Sequence, residues 1–239
     1  MENEGVVNRL KTGIHGLDNI IGGGVPIGSQ ILILGSPGAG KTLISLEMLY
    51  HNSRLAIPST FVTTEERREA LIYNVKNAFY SFDDYEDRVE NKKINIVHKA
   101  LVDGFKSREN FEKFIADIVN DMDSNKSKLL VVDSISSIRP ILSDDRTFTR
   151  SITYMTEVFR DNGITAFMTY ESDIKRTDDI MKLGLYSTSM FDGIIKLFVN
   201  HMEGSSQYSM EISKLRNSTH KLSTVPYQIT DSGFDVLSD

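Results

Sequence analysis

Apolar residues along this chain keep two alternating rhythms. Near 30–35, 59–64, 93–98, 128–133 and 164–170 they form short, nearly unbroken runs, the mark of strands buried on both faces. Near 41–52, 66–79, 108–123 and 147–161 they recur at helical spacing; in the third of these Phe111, Phe114, Ile115, Ile118, Val119 and Met122 share one face. Strand and helix in alternation predict an α/β fold with a mostly parallel central sheet wrapped by helices. From Asp192 onward the pattern changes to strands joined by turns: Gly193–His201, Gln207–Lys214, Tyr227–Thr230 and Phe234–Leu237, with Glu203-Gly204-Ser205-Ser206 as a hairpin signal. The sheet is therefore expected to end in an antiparallel extension. No internal repeat or low-complexity tract interrupts the pattern.

A length of 239 residues suits one domain over 1–239, since a single core grows to roughly 250–300 residues before chains divide. No apolar run approaches the ~18 residues of a membrane span, and Met1-Glu2-Asn3-Glu4-Gly5 is acidic and polar rather than a signal peptide. A cytoplasmic protein without membrane insertion is expected. The absence of Cys excludes disulfides, thiolate catalysis and zinc–thiolate sites. Asp and Glu number 33 against 27 Lys and Arg, a net charge of −6 that disfavours a dedicated nucleic-acid binder.

Candidate chemistry is concentrated in three places. Gly35-Ser36-Pro37-Gly38-Ala39-Gly40-Lys41-Thr42 matches a phosphate-binding P-loop between a buried strand and a helix near 41–52, so these eight residues and Leu43 after them are the candidate nucleotide-binding segment. Its glycines let backbone N–H groups close around the β-phosphate, the helix start adds its positive dipole end, Lys41 supplies an ammonium for the β- and γ-phosphates, and the Thr42 hydroxyl suits magnesium. Leu129-Leu130-Val131-Val132-Asp133 reads as a central strand ending in an acid, a Walker B arrangement that places Asp133 in the magnesium shell; the alternative is a helix N-cap. Phe61-Val62-Thr63-Thr64-Glu65-Glu66 brings two carboxylates off the end of a strand expected to neighbour the P-loop strand. One of Glu65 and Glu66 is then the group that orients and deprotonates the attacking water. In the alternative, Thr64 caps the next helix and both acids sit in its first turn.

The order of these parts, with Thr12-Gly13-Ile14-His15-Gly16-Leu17-Asp18 and Gly22-Gly23-Gly24-Val25-Pro26-Ile27-Gly28 before the P-loop and Lys214-Leu215-Arg216-Asn217-Ser218-Thr219-His220 near the end, resembles the KaiC-like branch of the RecA ATPase superfamily from about Thr12 to Asp235. The resemblance implies a RecA-like P-loop NTPase, ATP with Mg2+ as cofactors, and a homohexameric ring with each nucleotide held between neighbours. By position it implies that Lys214 and Arg216 reach the neighbour's γ-phosphate, and that His220, Ile229 and Asp231 contact sugar and base, also across the interface. Asn217 stands where the family usually has Gly, and Asn tolerates the left-handed backbone that such a turn needs. Leu222 stands where a basic residue is common. Unlike the tandem clock proteins this chain has one such domain, so a timekeeping role is not expected. In Ser172–Ser187, where RecA-like recombinases place a DNA-contacting loop, Lys175, Arg176 and Lys182 are balanced by Asp173, Asp178 and Asp179, with Tyr186 alone for stacking. Thr188 and Ser189 occupy the position of phosphate-accepting residues in the clock proteins, a weak autokinase signal beside the plain alternative of a Ser/Thr turn. The resulting expectation is a slow ATPase ring that reports nucleotide state to a partner protein. Two alternatives stay open: a non-hydrolysing nucleotide-sensing module of a larger assembly such as an archaeal motility motor, and a recombination accessory protein on single-stranded DNA.

Overall fold

The computed structural model describes residues 7–101, 108–172, 185, 187–202 and 205–237. A small antiparallel ribbon of β1 (Arg9–Leu10) and β2 (Val25–Pro26) encloses the short helix α1 (Leu17–Ile20) in sequence. The remaining strands are β3 (Gln30–Gly35), β4 (Ser59–Thr63), β5 (Ile94–His98), β6 (Leu129–Asp133), β7 (Thr165–Glu171), β8 (Gly193–Met202), β9 (Ser205–Leu215), β10 (Val225–Thr230) and β11 (Gly233–Val236). They form one nine-stranded sheet in the order β11-β10-β9-β8-β3-β7-β6-β4-β5. From β8 to β5 neighbours run parallel, and β9, β10 and β11 are added antiparallel. Every residue of β3, β4 and β6 is buried, which is why unbroken apolar runs rather than alternation reveal them.

Two cores flank the sheet. On one face α2 (Lys41–Arg54), α3 (Arg68–Ala78) and α4 (Tyr85–Glu90) pack with α1 and the β10–β11 hairpin. On the other lie α5 (Arg108–Asn125), α6 (Asp145–Asp161) and a 3-10 stretch at Ile135–Ile141. The apolar stripe of α5 is buried at Phe111, Phe114, Ile115, Ile118 and Met122, with Val119 at its margin. In α6 the buried residues are Phe148, Ile152, Met155, Thr156 and Phe159, and each large apolar side chain among them contributes about 1.5–3 kcal/mol of burial. Asp144 starts this helix by accepting the N–H groups of Arg146 at 2.8 Å and Thr147 at 2.9 Å.

The sheet corrects two expectations. The strand that leads into Glu65 does not neighbour the P-loop strand: β4 pairs with β6 and β5, while β3 lies between β7 and β8. Apolar runs of equal depth fit any central position, so strand order is settled by the crossovers and not by the runs. The first strand after Asp192 also pairs parallel with β3, so the antiparallel extension begins at β9. Among the described residues no helix is long and apolar enough to cross a membrane. Asp173, Lys175, Arg176, Asp178, Asp179, Lys182, Tyr186 and the Glu203-Gly204 turn lie outside the described residues.

Candidate active site

The P-loop leaves the carboxyl end of β3 and enters α2 with Gly40 as its N-cap residue. Gly40 has φ +84, and a side chain there would collide with the Phe234 ring and the Ile229 δ-methyl. The same loop is held from the other side by the Tyr227 hydroxyl, which donates to Ala39 O at 2.7 Å. Lys41 is nearly buried, its Nζ donating to Gly35 O at 2.9 Å and Ser36 O at 3.0 Å and lying 3.7 Å from Glu171 Oε2. Desolvation lowers the lysine pKa, opposed by the nearby carboxylates of Glu171, Asp133 and Glu65.

Asp133 comes to this loop from β6, two strands away. Its Oδ2 accepts the Thr42 hydroxyl at 2.8 Å, and its Oδ1 accepts that of Thr169 on β7. Burial raises the Asp133 pKa, against the two hydroxyl hydrogen bonds and Lys41. The helix-cap alternative belongs to the next residue: Ser134 caps the 3-10 stretch and accepts the Ser136 N–H at 3.1 Å. Thr42 and Asp133 thus converge as hard oxygen donors at the foot of the phosphate loop, a donor set that fits Mg2+.

Glu65 is brought to the same place by a hydroxyl seam between β4 and β6. Thr64 N donates to Asp133 O at 2.9 Å, the Thr64 hydroxyl donates to Ser134 O at 3.1 Å, and it accepts from Ser134 N at 3.1 Å. Thr63 Oγ1 accepts the N–H groups of Glu65 at 3.3 Å and Glu66 at 3.0 Å, so both acids sit in a tight turn. Helix α3 starts only at Arg68, behind Arg67, without a side-chain cap; Glu65 and Glu66 are therefore not its first turn. The two acids part company here. Partial desolvation raises the Glu65 pKa, with Asp133, Glu171 and Glu66 adding to the rise and Lys41 opposing it. The Glu66 carboxylate instead accepts from Asn74 Nδ2 at 3.0 Å on α3.

Glu171 is the acid that sequence reasoning missed. It ends β7 directly opposite Gly35 in the parallel register, and its N–H donates to Ser136 Oγ at 3.2 Å. Its only sequence signal is a charge at the end of a buried strand.

Lys214 and Arg216 are elsewhere. Lys214 pairs with Ile194, which is level with Leu32, and its Nζ donates to Phe191 O at 2.6 Å and Thr188 O at 3.2 Å. Arg216 N donates to Asp192 O at 2.8 Å, Asp192 N donates to Gln30 O at 2.7 Å, and Arg216 Nη1 lies 3.3 Å from Asp192 Oδ1. Arg216 is thus level with the start of β3, five residues or roughly 17 Å along the strands and two strands or roughly 10 Å across from Gly35. Desolvation lowers the Lys214 pKa, as does Arg216 beside it, and Asp192 opposes the shift. Asn217 has φ +53, the left-handed turn anticipated for it. Next to it, Arg9 donates to Asn217 O at 2.9 Å, Ser218 Oγ donates to Ile21 O at 2.7 Å and Lys221 N donates to Ile20 O at 2.9 Å, so the segment carrying His220 is braced by the N-terminal ribbon and α1. Ile229, on the same hairpin as Asp231, places its δ-methyl beside Gly40 of its own chain. The hydroxyls of Ser187 and Ser189 share a hydrogen bond at 2.7 Å beside Thr188, the turn that the plain alternative describes.

Comparison with known proteins gives a consistent picture. A family model described as "ATPase: KaiC" matches residues 10–239. The UPF0273 protein of Methanopyrus kandleri is 26% identical over 247 residues, covering 96% of this chain and 92% of that protein. The circadian clock oscillator protein KaiC of Rippkaea orientalis is 30% identical over 239 residues, covering 97% of this chain and 44% of the clock protein, so the chain spans less than half of that relative. The crystal structure of a KaiC-like protein from Pyrococcus horikoshii superposes with a TM-score of 0.82 at 27% identity, covering 98% of this chain and 100% of that one.

Proposed function

This chain belongs to the KaiC family of ATPases, and we propose that it hydrolyses ATP slowly, with Mg2+, in a cytoplasmic ring of six copies that share their sites and report nucleotide state to a partner protein. The observation that carries the reading is the division of the chemistry. Lys41, Thr42, Asp133, Glu65 and Glu171 converge on one end of β3, while Arg216 sits at its other end and Lys214, level with Leu32, turns its ammonium to the carbonyls of Phe191 and Thr188, away from its own P-loop. A neighbouring copy is then the source of the two cations.

Roles follow from position. The P-loop amides and Lys41 hold the β- and γ-phosphates, and Thr42 and Asp133 would hold Mg2+, whose charge would offset that of the phosphates. Glu65, which the Thr63–Thr64 turn brings beside Asp133 and Lys41, orients the attacking water and accepts its proton. Glu66, engaged by Asn74, secures the turn. Lys214 and Arg216 of one copy stabilise the charge that spreads over the γ-phosphoryl oxygens in the next.

Phosphate release by the purified protein, with its size measured by light scattering with and without ATP and Mg2+, tests this. Glu65→Gln is expected to bind ATP and lose about 10²–10⁴ in turnover, whereas Glu66→Gln retains most of it. Lys41→Ala is expected to lose tight ATP binding. Wild-type turnover in Lys41→Ala, or unchanged turnover in Glu65→Gln, refutes the assignment.

A further inference from the structure

Helix α2 carries a carboxylate where its pattern calls for an apolar residue. Glu47 is 1% exposed, and its Oε2 accepts the backbone N–H of Phe234 at 2.8 Å while Oε1 lies 3.2 Å from His51 Nε2. Desolvation raises its pKa, against those two hydrogen bonds. The hairpin backbone comes so close that a side chain on Gly233, at φ +117, would collide with the Glu47 carboxylate. A buried acid is retained only where its partners fix it, and here the partner is the first residue pair of β11.

The strand order says what that contact is for. The groups assigned to metal and water, Asp133 on β6 and Glu65 beyond β4, lie on one side of β3; β10 and β11 lie on the other. A nucleotide whose terminal phosphate points toward Asp133 must extend its nucleoside the opposite way, toward the hairpin. There Phe234 and Ile229 stand against Gly40, and the Tyr227 hydroxyl ties the same hairpin to Ala39 O. We propose that Glu47 is a positioning residue for the nucleoside end of the site: by holding the Phe234 N–H it fixes the β10–β11 hairpin as an apolar wall for sugar and base. The inference rests on the ATP-binding reading above and assigns to Glu47 no contact with the nucleotide.

Calorimetric binding of ATP and of inorganic tripolyphosphate, both with Mg2+, separates the wall from the phosphate cradle. Glu47→Met keeps the side-chain length and removes the acceptor; it is expected to weaken ATP binding roughly tenfold or more while leaving tripolyphosphate unchanged. Glu47→Gln, whose amide oxygen still accepts from Phe234, is expected to restore ATP binding. Ile229→Ala trims the wall itself, leaves the Tyr227–Ala39 tether of the phosphate loop in place and carries the same expectation, so the wall is tested even where Glu47→Met does not fold. Unchanged ATP affinity in the variants, or equal weakening of ATP and tripolyphosphate, overturns the role of Glu47 and leaves the ATP reading standing. Wild-type protein that binds neither ligand overturns both.

Discussion

Arg216→Ala is the sharpest test of a site divided between copies. The guanidinium is half-exposed, at 50%, and 3.3 Å from Asp192, which keeps Arg160 at 3.1 Å and the Gln30 N–H at 2.9 Å when Arg216 is removed. An exposed pair of this kind contributes about 0–1 kcal/mol, so the variant is expected to fold. Lys214 is the poorer probe, because its ammonium also satisfies the carbonyls of Phe191 and Thr188. With roughly 17 Å along the strands and 10 Å across them separating Arg216 from its own Gly35, ATP binding by a single chain is expected to be unchanged. Turnover is expected to fall by about 10³–10⁵, the usual contribution of an arginine supplied in trans. Mixing with Glu65→Gln makes the prediction quantitative. A productive interface needs an intact Glu65 on one chain and an intact Arg216 on its neighbour, so activity follows the product of the two fractions and peaks in an equal mixture at about one quarter of the wild-type rate. Phosphate release measured against mixing ratio reads this curve, with mixed rings first verified by tagged pull-down. Mixed rings without recovered activity, or full activity in dilute monomer, refute the trans assignment.

Two further outcomes follow from individual residues. Asp133→Asn leaves one acceptor oxygen to serve both Thr42 and Thr169 and removes the charge facing the metal position, so a Mg2+ titration of phosphate release is expected to shift to higher concentration and plateau at least ~10-fold lower; an unchanged titration sinks the metal role. Asp144, held down to about 2 chiefly by the Thr147 N–H and hydroxyl, contributes stability that is present above its ordinary value of 3.8 and lost as the pH falls from there through about 2. Asp144→Asn should therefore flatten the dependence of Tm on pH in that window, read by circular dichroism, and identical slopes for the two proteins would contradict the linkage.

What could be read from the sequence was whatever the chain keeps local. The P-loop is legible because strand, loop and helix are contiguous, and the stripe on α5 because eighteen consecutive residues repeat one face. The N-terminal Thr12-Gly13…Asp18 spacing is likewise local: the Asp18 carboxylate accepts Thr12 N at 2.9 Å, the Thr12 hydroxyl at 2.8 Å and Gly13 N at 3.1 Å, closing one turn. The elements too short for a period to register, α1, α4, β1, β2 and the 3-10 stretch, went unseen. Strand order failed for a different reason. Phe61-Val62 and Val131-Val132 present the same apolar surface to any neighbour, so nothing in either run says that β6 and β7 lie between β4 and β3.

That nonlocal order also hid Glu171 and Glu47. Glu171 matters because β7 lies beside β3 and sets it opposite Gly35; Glu47 matters because a hairpin almost two hundred residues later returns to the P-loop helix, 187 positions from Glu47 to Phe234. Each is one acid in an otherwise apolar context, without spacing to a second group of the same motif. Lys214 and Arg216 show the converse. Their motif is conspicuous in the chain, yet the motif cannot say at which end of β3 they stand, and that placement decides whether one copy can complete its own site. The parallel pairing of β8 with β3, followed by the antiparallel turn into β9, carries them back to the Gln30 end while the P-loop leaves from the Gly35 end. A strand has two ends: with neighbours stacked so that the Gln30 end of one faces the Gly35 end of the next, the first copy's cations would complete the second copy's site.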